Sequence, residues 1–402
     1  MTPLTPDITP DITPDRSAKG TPFTPSIDRL GVMLLAVGVV LVVLAFVLQP
    51  VRASFGAIIL YLTMVSIAVG SLFLIALEYI SGATWSVPMR RANEFLAGLM
   101  PFLILLVLPL LLHIHELFNW SHPEATAHDS LLQGKAPYLN IPFFVLRTVG
   151  ILGIWILFAA LFVRNSTKQD ITRDPALTKK NIRLAAAFLP VFAITISLTA
   201  IDWGMSLEAH WFSTIYGVYY FSGTVLAALA AGTLVVLALD KSGSLPKLRP
   251  DHYYSLGALM FGFVNFWAYI AFSQFLLIWY ANLPEETYWF MARWRNGWEY
   301  VSVLLILVHF LVPYFALLSQ ESKMNPGRLK FIAVWLLVAH VLDLYWLVMP
   351  TYAAGVTIGW VELGFPLVGL GMVLLLLSWK TKRYNVVPIG DPKLQRGLDF
   401  RL

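Results

Sequence analysis

The chain has 402 residues, 58% of them hydrophobic and only 13% charged, and its mean hydropathy of +0.71 excludes a soluble globular protein. The formal net charge of +5 and pI of about 9.2 are read as charge flanking a membrane, not as a nucleic-acid surface. There is no cysteine, so disulfides, cysteine-ligated iron–sulfur clusters and covalently attached c-type haem are excluded on this chain.

Residues 1–28 open with TPLTPDITPDITPD, a Thr-Pro-Asp repeat with little to bury. It predicts an extended or disordered arm, or one that docks on a neighbouring subunit. Ten apolar stretches follow, each near the roughly 20 residues that cover a bilayer core. They run at about Arg29 to Gln49, Ser54 to Ile80, Glu94 to Glu116, Asn140 to Val163, Leu184 to Ile201, Tyr216 to Leu239, Tyr254 to Ala281, Trp298 to Ser319, Leu329 to Met349 and Trp360 to Trp379. Without water to satisfy the backbone these spans must be helical. The fold class is therefore an all-α integral membrane protein of ten transmembrane helices over residues 29–379, with a tail at 380–402. No small-residue cleavage site follows the first span, which reads as a retained helix.

Of the 28 Lys and Arg, the face opposite the termini holds Arg52, Lys135, Arg293 and Arg295, Arg147 lies inside a span, and all the others fall on the terminal side. That asymmetry predicts that both termini are cytoplasmic. The outward loops at 119–139, 202–215 and 282–297 are rich in Trp, His and acidic residues. They read either as an interfacial aromatic belt or as docking surface for an extracytoplasmic partner.

Ionisable residues inside spans are costly and usually face the bundle interior or water. In the first half these are Glu78 near the cytoplasmic end of span 2, His113, His115 and Glu116 at the outer end of span 3, Arg147 in span 4 and Asp202 at the end of span 5. His113 and Glu116 share a helix face, as do Thr195, Thr199 and Asp202, and as do Ser71 and Glu78. A discontinuous polar line, filled in by water, would connect the cytoplasm to the outer cluster. The plainer reading pairs Arg147 with Asp202 or Glu116 as a lock. In the second half His309 and His340 each lie ~16 Å along their spans at helical rise. Asp343 shares a face with His340 and is expected to hydrogen-bond to it, and span 7 adds Asn265, Tyr269 and Ser273 on one stripe with Gln274 beside it. Such groups at this depth are the material of proton relays. Axial ligation of a haem by His309 and His340 is the rarer alternative.

Nucleotide loops, nucleophile elbows and metal-helix motifs are absent from the sequence. His113-Ile114-His115-Glu116 superficially suggests a metal, but positions i and i+2 diverge on a helix, so no metal is expected there.

The run Thr199-Ala200-Ile201-Asp202-Trp203-Gly204-Met205-Ser206-Leu207-Glu208-Ala209-His210-Trp211-Phe212-Ser213-Thr214-Ile215-Tyr216-Gly217 and the run Phe272-Ser273-Gln274-Phe275-Leu276-Leu277-Ile278-Trp279-Tyr280-Ala281-Asn282-Leu283-Pro284-Glu285-Glu286 carry a resemblance. Both resemble segments of the second quinone-binding-type membrane subunit of bacterial alternative complex III, the ActF family, whose members are NrfD-like polysulfide-reductase membrane subunits. The likeness is clearest over spans 2 to 9. Ala209 departs from its Met-Ser-Leu-Glu-Pro pattern, at no ionisable position. The resemblance implies two four-helix bundles, at residues 54–201 and 216–349, with spans 1 and 10 peripheral. It also implies a bacterial cytoplasmic-membrane complex that oxidises menaquinol or ubiquinol near the outer face. Iron–sulfur clusters and haem c would sit in partner subunits outside, and a homologous NrfD-like subunit would lie alongside. On this reading the chain binds no cofactor covalently, a quinone is its expected ligand, and it takes part in quinol and proton handling. The proton-path candidates are then Glu78, His113, His115, Glu116, Arg147, Asp202, Tyr269, His309, His340 and Asp343. A secondary transporter built on an internal repeat, or a passive anchor for redox subunits, are the competing readings.

Overall fold

A computed structural model describes residues 25–402; most of the arm expected at 1–28 lies outside the described residues, and Pro25 to Asp28 already belong to the first helix. Among the described residues ten helices are long and apolar enough to cross a membrane: Pro25–Leu48, Pro50–Ser81, Val87–Leu112, Ile141–Thr172, Pro175–Trp203, Tyr216–Lys241, Pro250–Ala281, Trp298–Ala316, Pro326–Tyr352 and Trp360–Arg383. They are spans 1 to 10 below. The described residues hold no strand, so the chain is an all-α multi-pass membrane protein.

Proline and short polar residues set the helix starts. Pro25, Pro50, Pro175, Pro250 and Pro326 occupy the first helical position of their spans, where a missing N–H costs nothing. Asn140, Asp174 and Asn325 accept from Phe143, Ala176 and Arg328 backbone N–H groups at 3.0, 2.8 and 3.1 Å, capping spans 4, 5 and 9. Inside the membrane, proline breaks the ladder. Span 3 bends between Ala97 and Met100, where Pro101 cannot donate to Ala97. Span 8 passes through a π-helical turn at Ile306–Leu311. There Pro313 has no N–H to offer the Val308 carbonyl, and Trp335 Nε1 donates to it instead at 2.6 Å.

Spans 2 and 6 form the buried axis, 89% buried in each case over the most apolar stretch. Spans 3, 4 and 5 gather around span 2, and spans 7, 8 and 9 around span 6, with spans 2 and 6 packed on each other. Spans 1 and 10 pair at the periphery. A Cβ on Gly38 would lie 2.7 Å from Val368 N and one on Gly371 would lie 2.7 Å from Leu35 N. Only glycine lets these two backbones approach so closely, which is how helices associate where lipid removes the hydrophobic drive.

The 380–402 tail folds back rather than trailing away. His252 Nε2 contacts the Gly397 carbonyl at 2.9 Å, Asp391 reaches Arg90 at 2.8 Å, and Val387 and Leu394 are buried.

Candidate functional site

The polar residues separate into four places. At the end of span 2 nearest the termini, Glu78 accepts from Arg90 Nη1 at 2.9 Å. Arg90 Nε also reaches Glu94 at 3.1 Å, while Arg91 binds Glu94 and, at 2.5 Å, Asp170. Ser166 donates to Glu94 at 2.7 Å. The sequence reading counts Arg90 and Arg91 as membrane-flanking charge; both are in fact fully buried, 2% and 1% exposed. Two guanidinium groups against four carboxylates hold one another, because a lone charge here would carry several kcal/mol of desolvation. Glu78 also lines a cavity of about 260 Å³ shared with Ser81, Ser86, Asn93 and Thr233. Ser71, one step deeper on the expected polar line, is buried with no protein partner for its hydroxyl.

At the opposite face the expected outer cluster is two separate units. Arg147 pairs with Asp202 and not with Glu116: Nε and Nη2 reach the two carboxylate oxygens at 2.9 Å each, Nη1 donates to the Tyr138 carbonyl at 2.8 Å, and Tyr138 Oη donates to Asp202 at 2.9 Å. The Tyr138 ring lies 3.8 Å from the guanidinium. Burial first, and the Asp202 carboxylate second, raise the Tyr138 hydroxyl well above its ordinary range, so it remains a donor. Thr195 accepts from Trp155 Nε1 at 2.9 Å, lower on the same face of span 5. In the second unit His113 Nδ1 meets Glu116 at 3.0 Å, and Ser54 donates to Glu116 at 3.2 Å. His115 diverges from them, as helix geometry requires; it is exposed and contacts Ser121 at 3.1 Å.

Several of the outer-loop aromatics turn inward, while Phe212, Tyr288 and Trp294 stay exposed. Trp120, Trp203, Trp211 and Trp289 are all buried. Trp211 stacks on Trp289 with centroids 4.4 Å apart and planes at 12°, and its Nε1 donates to the Glu286 carbonyl at 3.1 Å. The two segments that carry the family resemblance therefore pack against each other. Arg293, fully buried beside them, donates to the carbonyls of Trp289, Leu347 and Trp346 at 2.8, 2.8 and 3.2 Å. The Trp346 carbonyl is free because Pro350 lacks the N–H that would reach it. Burial lowers the Arg293 guanidinium to about 10, so it stays charged at neutral pH.

The fourth place lies deep in the second helix group. Donor atoms of His309, His340 and Asp343 fall within 4.8 Å of one another, and all three residues are buried. The expected His340–Asp343 hydrogen bond is not formed. Asp343 instead accepts from Tyr219 Oη and, at 3.0 Å, from Trp267 Nε1, since spans 6 and 7 aim these donors at the face that His340 also shares. All four ring nitrogens of the two histidines lack a hydrogen-bond partner among the described residues. The π turn of span 8 presents His309, the kind of local distortion found at functional sites. Gly223 makes room for His340, whose ring a Cβ there would meet at 3.1 Å. Trp267 packs edge-on to His309 with centroids 3.9 Å apart, so no slot remains between the imidazoles for a porphyrin. The same three residues have the number and type of ligands for a divalent ion. Such an ion, with two neutral imidazoles and one carboxylate, would leave a net positive charge in a buried site with no second carboxylate.

Span 7 is rotated relative to the expected stripe. Trp267 and Gln274, seven apart, face inward, while Tyr269 is 66% exposed on the outer surface and belongs to no polar cluster. The physical reason is that Asp343 and a cavity of about 430 Å³ claim the Trp267 face. Tyr219, Trp267, Gln274, Phe290, Trp289 and Trp346 contribute to its walls. Gln274 is 4% exposed and its Oε1 has no partner. Phe272 and Ile306, both exposed on the outer surface, also line the cavity and place its mouth between spans 7 and 8. The sequence reading missed Tyr219 and Trp267, which an aromatic-rich span cannot distinguish from packing residues. It also missed Tyr220, which together with Ser66 and Thr224 forms a hydroxyl cluster at 3.2 and 3.3 Å across spans 2 and 6.

No protein-family model matches the sequence, and no curated protein matches it. Fold and site together define the class: an all-helical, ten-span membrane protein with a buried carboxylate–imidazole cluster beside an aromatic cavity.

Proposed function

We propose that this chain is a non-covalent-cofactor membrane subunit of a quinol:electron-acceptor oxidoreductase complex, in which its second helix group handles quinol and the protons that leave it. One observation carries the reading: His309, His340 and Asp343 converge, with Tyr219 and Trp267 rather than a Lys or Arg as the partners of Asp343 among the described residues, one residue layer from a cavity walled by Trp and Phe rings. A flat, lipid-soluble ring with two oxygens suits that cavity. Gln274 and Tyr219 supply polar contacts, and access runs from the lipid side past Phe272. Protons released there pass to imidazole and carboxylate groups that sit where charge is otherwise costly. Glu78 and its small cavity, with Ser66, Tyr220 and Thr224 between the helix groups, offer the complementary route toward the terminal face.

The resemblance at Thr199–Gly217 and Phe272–Glu286 supports the same assignment. On this reading the chain sits in a bacterial cytoplasmic membrane beside a homologous subunit and under extracytoplasmic iron–sulfur and haem c subunits, with both termini inside as the basic excess predicts. The transporter reading has one feature in its favour: the bend in span 3 and the π turn in span 8 occupy matching positions in two five-helix halves. The Val308 carbonyl freed in span 8 is taken by Trp335 Nε1, however, and offers no ion site of the broken-helix kind. Isolation from native membranes under mild detergent separates the two. The proposal expects haem c and iron–sulfur proteins to co-isolate with the chain and the preparation to oxidise quinol. A stable lone subunit that moves a solute in vesicles would contradict it.

A further inference from the structure

A groove of about 1050 Å³ runs between spans 1 and 10 on one side and spans 3 and 4 on the other, far from the buried cluster. Along most of its length it is lined by apolar side chains such as Leu35, Phe102 and Ile156, but its end toward the terminal face holds Arg164 and Lys380. Lys380 is held there by its surroundings. Its ammonium lies 5.2 Å from the Trp379 ring and 5.1 Å from the Tyr384 ring, and its stem crosses Gly98, where a Cβ would meet its Cε at 2.9 Å. Among the described residues no carboxylate lies within ion-pair distance of Lys380 or Arg164.

We propose that this groove is a site for one anionic phospholipid, with acyl chains along its apolar length and the phosphate between Arg164 and Lys380. Charge decides the headgroup: two cations with no carboxylate at ion-pair distance among the described residues, framed by interfacial aromatics, match a phosphate at the membrane surface. The basic end lies in the leaflet on the side of the termini, since spans 4 and 10 both finish there. Simple snorkelling would also carry Lys380 to the headgroup level, but it would not require the long apolar groove beneath.

Native mass spectrometry of the purified full-length protein tests the site, with phosphatidylglycerol, phosphatidylcholine and inorganic phosphate added back after delipidation. The expected result is one tightly held phosphatidylglycerol that phosphatidylcholine does not replace and millimolar phosphate does not displace. Joint Arg164→Gln and Lys380→Gln substitution should weaken retention by at least about tenfold, since two charged hydrogen-bond partners are lost. Ala160→Phe fills the groove while leaving both charges in place, and should also abolish retention. It keeps the test decisive if the double variant fails to fold. Equal retention in both variants, equal restoration by phosphatidylcholine, displacement by free phosphate, or a partner helix found in the groove of an assembled complex would each overturn the proposal.

Discussion

Arg147 and Asp202 form a two-pronged pair across spans 4 and 5, with both N–O distances at 2.9 Å and Tyr138 closing the third side. Each guanidinium nitrogen of Arg147 and each carboxylate oxygen of Asp202 has a partner, which marks the pair as a lock between helices. Removing one partner leaves the other charge buried alone. Arg147→Ala is therefore expected to cost about 3–5 kcal/mol and to lower the thermal midpoint of the subunit or prevent its assembly, read by size exclusion and a melt of the purified complex. An Arg147→Ala protein with the parent's midpoint would show that the pair holds nothing.

Tyr269 lies on the outer surface of span 7, away from Asp343. Tyr269→Phe should leave quinol turnover, proton release and stability within experimental error of the parent. A severalfold loss of turnover would mean that span 7 turns its other face inward in the assembled complex.

Ten spans, their order and the mid-depth histidines were legible in the sequence because length and hydropathy alone fix them. What the sequence could not give was rotation. Span 7 carries large apolar side chains on every face, so its few polar residues do not tell which side is inside, and Asn265, Tyr269 and Ser273 rather than Trp267 and Gln274 read as the inward stripe. Arg90 and Arg91 were likewise indistinguishable from flanking charge, because their partners Glu78, Glu94, Asp170 and Asp391 come from distant parts of the chain. Among the outer-face groups the His113–Glu116 contact follows from spacing on one helix, whereas the choice of Asp202 over Glu116 as the partner of Arg147 does not. Helical spacing relates residues on one helix and is silent about neighbours on another. Trp211 and Trp289 appeared as loop aromatics, and only their stacking shows that the two loops are one packed unit.

The aromatic cavity predicts a split between binding and chemistry. Gln274→Leu removes one hydrogen-bonding group from its wall with little change in volume, so the KM for quinol should rise about fivefold to tenfold, the worth of one hydrogen bond, while kcat stays near that of the parent. Steady-state quinol oxidation by the isolated complex measures both. An unchanged KM would remove the cavity from the quinol site.

The side of the membrane is tested by reporters. A fusion after Leu402 should be active only with a cytoplasmic reporter, and an insertion near Gln133 only with an extracytoplasmic one, because the basic excess lies with the termini. The reverse pattern would invert every assignment of inner and outer face.

The central claim is that His309, His340 and Asp343 carry protons coupled to quinol oxidation. In vesicles holding the assembled complex, quinol:acceptor turnover and the pH change across the membrane are recorded together for the parent, Asp343→Asn and His340→Gln. Asp343→Asn keeps size and acceptor capacity toward Tyr219 and Trp267 but removes the titrating group. The account predicts an intact complex whose proton-to-electron ratio falls, with turnover reduced less than proton movement. An unchanged ratio and unchanged turnover in both variants would contradict it and leave the cluster a packed polar group in an apolar helix bundle.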